Sequence, residues 1–266
     1  IFNGTDEEIA LTTNSQPAIM ATSIAILRCL QYEKLINLAS VSYTAGHSLG
    51  EYSSLVATGS LDFKDAVKIL KVRSEAMQES MPIGTGGMAA IIGSSLNQIT
   101  KLLPELNKIG KIYVANDNAD GQIVLSGEIS VIDHICSNSK TYGIKRAIKL
   151  PVSAPFHCEL IYSAKSKIRN EVQNYNFKDF KFPLISNVEA RPCKSSEIGE
   201  LLSNQVVSRV RWRESVEYMI RKNVTTFIEI GPGNVLCNIV KRMNKSLISI
   251  SISNIEDFSK LKEQIA

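Results

Sequence analysis

The chain is 266 residues long, with 30 basic and 26 acidic side chains and a formal net charge of +4. Hydrophobic residues at 44% and charged residues at 21% sit near the globular average, which excludes disordered, collagen-like and low-complexity classes. The length suits one large domain or two small ones with a real core, and the basic excess is too slight, unless clustered, for a dedicated nucleic-acid binder.

In chain order, the first predicted element is a helix from Pro17 to about Glu33, with Ser15 as its cap and the proline in its first turn. A strand over Leu38–Ala45 runs into Gly46, and a helix from about Leu49 to Thr58 ends at Gly59. Asp62 caps the next helix, with Asp65 in its first turn. Gly84, Gly86 and Gly87 then form a flexible entry to a stretch of different texture. Its elements are a strand (Met88–Ile92), a helix (Leu96–Asn107), strands at Ile112–Ala115 and Gln122–Ser126, a helix (Ile129–Tyr142) and a strand (Arg146–Leu150). That β-α-β-β-α-β order is ferredoxin-like and reads as a small subdomain, 84–151, inserted into a larger α/β unit, 1–83 and 152–266. The larger unit resumes near Pro151 with a helix (Ile161–Tyr175), a strand (Leu184–Ser186), a helix (Ser208–Lys222), a strand (Thr226–Ile230) and a helix (Asn234–Met243). It closes with a strand (Leu247–Ser251) and a helix (Asp257–Ile265). Such alternation predicts an α/β fold with a mainly parallel sheet.

The five cysteines, Cys29, Cys136, Cys158, Cys193 and Cys237, are odd in number and lack metal-ligand spacing, so a reducing, cytoplasmic location without bound metal is expected. The apolar run Pro17–Leu27 is interrupted by Thr22 and Ser23 and stops at Arg28, too short for a spanning helix. No signal peptide is recognisable, and no membrane or nucleic-acid partner is expected.

The sharpest chemical signal is Gly46-His47-Ser48-Leu49-Gly50, a G-x-S-x-G placed between a predicted strand and a predicted helix. A serine there sits on a tight turn whose glycines remove clashing side chains. The helix N-terminus beneath it aims backbone N–H groups, that of Leu49 first, at an oxyanion. A serine nucleophile needs a base. His47 adjoins Ser48 and points elsewhere from a sharp elbow, and His134 falls within a predicted helix of the inserted subdomain. That leaves His157, in a loop stiffened by Pro151 and Pro155. Ala66, Leu70, Arg73 and Met77 share one helix face, so Arg73 lies in an apolar stripe and requires a partner. Periodicity alone favours a salt bridge to a protein carboxylate; the alternative is a bidentate clamp on a substrate carboxylate. No acid stands out as a third triad member, and a carbonyl oxygen could orient the histidine instead.

Gly46-His47-Ser48-Leu49-Gly50-Glu51-Tyr52-Ser53, then Arg73, Ala154-Pro155-Phe156-His157 and Glu229-Ile230-Gly231-Pro232-Gly233 together resemble the malonyl-CoA:acyl carrier protein transacylases of fatty acid synthesis, from about Asn14 to the last helix. The resemblance implies an α/β-hydrolase-like core and ping-pong acyl transfer from malonyl-CoA to acyl carrier protein, with no cofactor beyond the CoA and phosphopantetheine of the substrates. Ser48 resembles the nucleophile, His157 its base and Arg73 the residue that binds the malonyl carboxylate. Gln205, in Ser203-Asn204-Gln205-Val206, matches the position whose main-chain carbonyl holds the histidine, and Leu49 matches an oxyanion donor. Phe156 resembles the malonyl-selecting residue before the histidine, and His47 is assigned to the substrate-binding surface.

One departure stands out. The family opens with a strand and a Gly-Gln-Gly-Ser-Gln loop that supplies a second oxyanion donor. Here the chain opens on Ile1, and Gly121-Gln122 lies instead in the inserted subdomain. Roughly 40 preceding residues are therefore expected, more than a terminal fray. Without that donor the rate would fall on the order of 10²–10³. An acidic carrier would suit the basic excess, with Arg209, Arg211, Arg213, Arg221, Lys222, Lys241 and Arg242 as candidates and a solvated helix face as the alternative. The rival functions are a serine thioesterase or esterase, which has no use for Arg73, and an inert carrier-binding domain.

Overall fold

The structure, a computed structural model, describes residues 1–152 and 154–265. Ser153, in the predicted loop before His157, lies outside them. The chain begins with α1 (Asp6–Ala10), α2 (Thr12–Tyr32), β1 (Thr44–Ala45), α3 (Gly50–Ala57) and α4 (Phe63–Glu79). It continues through β2 (Gly86–Ile92), α5 (Leu96–Leu106), β3 (Ile112–Ala119), β4 (Gln122–Glu128), α6 (Ile129–Asn138) and β5 (Arg146–Lys149). It ends with α7 (Tyr162–Val172), β6 (Leu184–Ile185), α8 (Ile198–Gln205), α9 (Trp212–Arg221), β7 (Thr226–Ile230), α10 (Val235–Met243), β8 (Ile248–Ile252) and α11 (Asp257–Ile265).

The strands β2 to β5 form one antiparallel sheet in the order β3-β4-β2-β5. Ile91, Ile123 and Leu125 from the sheet pack against Ile99 of α5 and Ile132 and Ile135 of α6, a core separate from the rest. β2 starts at Gly86 rather than Met88, and the glycine there has a packing reason. A Cβ on Gly86 would stand 2.5 Å from Cδ of Pro155, in the loop that carries His157. The inserted sheet thus presses on the histidine loop.

Outside that sheet the strands are parallel but paired two by two: β1 with β6, and β7 with β8. Among the described residues no ladder joins the two pairs, so the single, mainly parallel sheet expected from alternation is not formed. Around β1 and β6 lies a core of residues from α2, α3, α4, α7 and α8, including Met20, Leu55, Leu70, Ile168 and Leu202. A further cluster unites α9 and α10 through Val216, Met219, Ile239 and Val240. Glu229 of β7 accepts the N–H groups of Leu236 (3.1 Å) and Cys237 (2.7 Å), capping the open first turn of α10.

Several predicted bounds shift for local reasons. The predicted strand Leu38–Ala45 shrinks to two residues. The Asn37 side chain accepts the Ala39 N–H at 3.0 Å and winds Leu38–Ser40 into a 3-10 turn. α2 begins at Thr12, so Ser15 lies inside it rather than capping it, and Pro17 is an interior residue. Asp62 stands at the N-cap of α4 but makes no capping bond, its carboxylate lying 3.4 Å from Lys178 instead. α6 gives way to a 3-10 turn at Ser139–Tyr142. The predicted helix Ser208–Lys222 starts only at Trp212, and α8 has no counterpart in the predicted order. No described helix is long and apolar enough to cross a membrane.

Candidate active site

The two residues of β1 lead through Gly46 into a turn that ends at α3. Ser48 occupies its apex with φ of +54°, left-handed backbone that a non-glycine residue adopts only under constraint. Gly46 is obligatory here, because a Cβ would sit 1.9 Å from the Gly50 carbonyl. Two side-chain amides clamp the peptide groups of Ser48. Asn187 Oδ1 accepts its N–H at 2.7 Å, and Gln205 Nε2 donates to its C=O at 2.9 Å. Leu49 follows as the N-cap of α3, where its N–H belongs to a first turn without intrahelical acceptors.

Ser48 Oγ lies 2.8 Å from His157 Nε2, and His157 Nδ1 lies 2.9 Å from the Gln205 main-chain carbonyl. The carbonyl can only accept, so Nδ1 carries the proton and Nε2 is left free to accept from Ser48. No carboxylate occupies the third position; the end of α8 supplies a peptide oxygen in its place. Burial, aided by the charge of Arg73, pushes the His157 pKa down to about 3. The imidazole is thereby neutral, with the Nε2 lone pair facing the Ser48 hydroxyl.

Ala66, Leu70, Arg73 and Met77 are all buried, as the helical stripe requires. Arg73 Nη2 donates to Ser48 Oγ at 2.9 Å and to Gln205 Oε1 at 2.8 Å, while Nη1 donates to Gln16 Oε1. Its guanidinium also lies 5.6 Å from the centre of the Tyr52 ring. These hydrogen-bond acceptors are all uncharged, and among the described residues Arg73 has no ion-pair partner. The salt bridge favoured by periodicity alone is therefore not what holds it.

The remaining predicted residues fall around this centre. Phe156 is half-buried against the main core and against Met88, Ala115 and Val124 of the inserted sheet. His47 turns away from Ser48, its Nε2 2.9 Å from Asn118 Oδ1 and its ring 5.6 Å from Trp212. Gln122 opens β4, and His134 meets the Tyr142 hydroxyl at 2.9 Å on α6. Of the basic candidates, Arg209 and Arg211 pair with Glu214, and Arg213 pairs with Asp117 and Glu217. Arg221, Lys222, Lys241 and Arg242 are exposed.

Three participants escaped the sequence: Gln16, Glu51 and Asn187. Gln16 directly precedes the proline used to place a helix start, which hid its interior position on α2. Asn187 is 139 positions from Ser48, with no motif to tie them. Glu51 belongs to the quoted G-x-S-x-G run but carries no role there. It is fully buried, and burial pushes its carboxyl up to about 7 against the Asn187 N–H, the Gln205 amide and Arg73. Among the described residues no group of three or more His, Cys, Asp or Glu side chains could hold a metal ion.

Known proteins resemble the chain over most of its length. The profile of the family described as "Acyl transferase domain" covers residues 1–261. A malonyl CoA-acyl carrier protein transacylase of Bacillus subtilis (strain 168) is 44% identical over 260 residues, 96% of this chain and 80% of that protein. The crystal structure of such a transacylase from Clostridium perfringens superposes with a TM-score of 0.93 at 35% identity, covering 99% of this chain and 82% of that one. A complex of a type II PKS acyl-carrier protein with its malonyl-transacylase also superposes with a TM-score of 0.93 at 35% identity, over 98% of this chain and 84% of that one.

Proposed function

The chain belongs to the acyl transferase domain family, and from that premise we propose that it transfers a malonyl group from malonyl-CoA to the phosphopantetheine thiol of an acyl carrier protein, for fatty acid synthesis. The observation that carries this reading is the double engagement of Ser48 Oγ, which donates to a neutral imidazole and accepts from a buried arginine that ion-pairs with no carboxylate among the described residues.

In the first half-reaction Ser48 Oγ attacks the thioester carbonyl carbon while His157 Nε2 takes its proton. The carbonyl oxygen becomes an oxyanion facing the Leu49 N–H. Collapse breaks the C–S bond, and the imidazolium returns the proton to the departing CoA sulfur, leaving a malonyl ester on Ser48. In the second half-reaction the carrier thiol gives its proton to His157 and attacks that ester, and Ser48 is released with its own proton restored. Arg73 would pair with the free malonyl carboxylate throughout, exchanging neutral acceptors for a charged one. Phe156 would line the acyl site, with His47 at its edge. A thioesterase would have no task for a buried cation at this position.

The inserted sheet, with its order β3-β4-β2-β5 and helices α5 and α6, supports reading residues 84–151 as a ferredoxin-like small lobe. The strand, elbow and helix around Ser48 support an α/β-hydrolase-like large lobe of residues 1–83 and 152–266. Five unpaired cysteines support a cytoplasmic enzyme, with neither cofactor nor metal in the proposed chemistry.

Incubation with malonyl-CoA, followed by intact-mass measurement and then addition of holo carrier protein, tests the reading. A malonyl adduct on Ser48 that moves to the carrier is expected. No adduct, or free malonate alone, would overturn it.

A further inference from the structure

The strained elbow at Ser48 is held from below by one buried side chain. Glu51 sits in the first turn of α3, fully buried, and both of its carboxyl oxygens accept hydrogen bonds. Oε1 accepts the main-chain N–H of Asn187 at 3.2 Å, and Oε2 accepts from Gln205 Nε2. These are the two residues whose side chains clamp the Ser48 peptide groups.

The Gln205 amide is the decisive part. Its two N–H hydrogens serve the Ser48 carbonyl and Glu51, so its oxygen must face the other way, and there it accepts Arg73 Nη2 at 2.8 Å. Flipping the amide would set its oxygen against a carboxylate and a carbonyl, and its NH₂ against a guanidinium. With Glu51 ionised, every contact would then be repulsive. Glu51 thereby adds to the Ser48 carbonyl and Arg73 in disfavouring the flipped state. Gln205 also stands between Glu51 and Arg73, so the carboxylate does not ion-pair with the arginine.

We propose that Glu51 is a positioning residue that acts through the Gln205 amide, fixing Arg73 Nη2 beside Ser48 Oγ in the orientation that receives the carboxylate of the acyl substrate. The proposal rests on the malonyl-transfer reading above. It differs from a purely structural role in one respect. A general loss of the elbow would slow every acyl donor alike, whereas a displaced Arg73 harms only donors that carry a carboxylate.

The test compares Ser48 loading from malonyl-CoA and from acetyl-CoA in Glu51→Gln, Gln205→Met and the double variant. Gln205→Met removes the amide and keeps the main-chain carbonyl that holds His157. Each single variant is expected to lower malonyl loading about tenfold more than acetyl loading, and the double variant to lose no more than the worse single, because the two residues act in series. An unchanged malonyl-to-acetyl ratio in either single variant, or losses that multiply in the double, would overturn the proposal. Should Glu51→Gln fail to fold, the shorter Glu51→Asp withdraws the carboxylate from Gln205, and its ratio must fall likewise. If the unaltered protein itself forms no malonyl ester, the functional reading fails. If it does and the ratios stay constant, only the role of Glu51 fails.

Discussion

Arg73 directs a buried positive charge at oxygens that carry none. A guanidinium in water makes strong bonds to solvent, and three neutral acceptors replace them incompletely. The site is therefore biased toward an anion, and in the proposed reaction Ser48 Oγ, 2.9 Å from Arg73 Nη2, would meet that anion's acyl carbon. Arg73→Ala is expected to reduce malonyl loading about a hundredfold, the scale of a charge-assisted, two-pronged contact, and acetyl loading far less. Equal losses for the two donors, read by intact mass, would make the arginine structural. His157 gives a second prediction at this scale. In the proposed reaction His157 works as the neutral imidazole, and burial lowers its pKa to about 3. The neutral form thus persists as pH falls through the ordinary histidine range, and activity is lost only on protonation well below it. The acid limb of kcat/KM attributable to His157 should lie far under the usual value of about 6.5. A limb near 6.5 that survives in Glu51→Gln would refute this. Motif and elimination singled out Ser48 and His157, which the structure brings together; helical spacing gave the burial of Arg73 but not its place beside Ser48, which only the family resemblance implied. Glu51 and Asn187 were not legible, because what matters is a contact across 136 positions, from the Asn187 main-chain N–H to the Glu51 carboxyl, between residues of common type.

At the scale of elements, the site is made by terminations rather than by long regular pieces. β1 is two residues long, yet it delivers Ser48 because α3 begins at once and Gly46 lets the backbones pass. Gly46→Ala puts a methyl group 1.9 Å from the Gly50 carbonyl, a clash with backbone that no rotamer relieves. The variant is expected to form no malonyl ester and to melt several degrees lower, as a cost of a few kcal/mol implies. Normal loading by Gly46→Ala would show that the elbow is not needed. Elements with strong internal periodicity read well from the sequence: β7 and α11 have the bounds expected of them, and the succession of strands and helices in the inserted segment is the one expected. α8 did not. It is only eight residues long, and its identity as a helix depends on burying Ile198, Leu201 and Leu202 against distant α-helices. Its last residue holds His157, so the missed element belongs to the proposed site.

For the whole molecule, the question is how the inserted sheet is held to the body that carries Ser48. Three contacts converge on the end of β3. The main chain of Val210 bridges Ala115 and Asp117 at 2.8 and 3.0 Å, Asn118 meets His47, and Arg213 of α9 grips Asp117 with Nε and Nη2. Asp117 has no solvent exposure, whereas the Arg213 side chain keeps 25%. Removing the arginine therefore strands a buried carboxylate, and Arg213→Ala is expected to cost about 3–5 kcal/mol in denaturant unfolding. The pair as such need not be net stabilising, since two ions were desolvated to form it. Replacing both partners together, as in Asp117→Asn with Arg213→Met, should restore most of the loss. Malonyl loading should follow the same pattern, falling in Arg213→Ala and recovering in the double variant, because His47 next to Ser48 is tied to the residue after Asp117. A cost under about 1 kcal/mol for Arg213→Ala would reduce the contact to an ordinary surface pair. The join between sheet and body would then rest on the backbone bridge at Val210, the His47–Asn118 bond and the packing of Pro155 and Phe156 against the sheet.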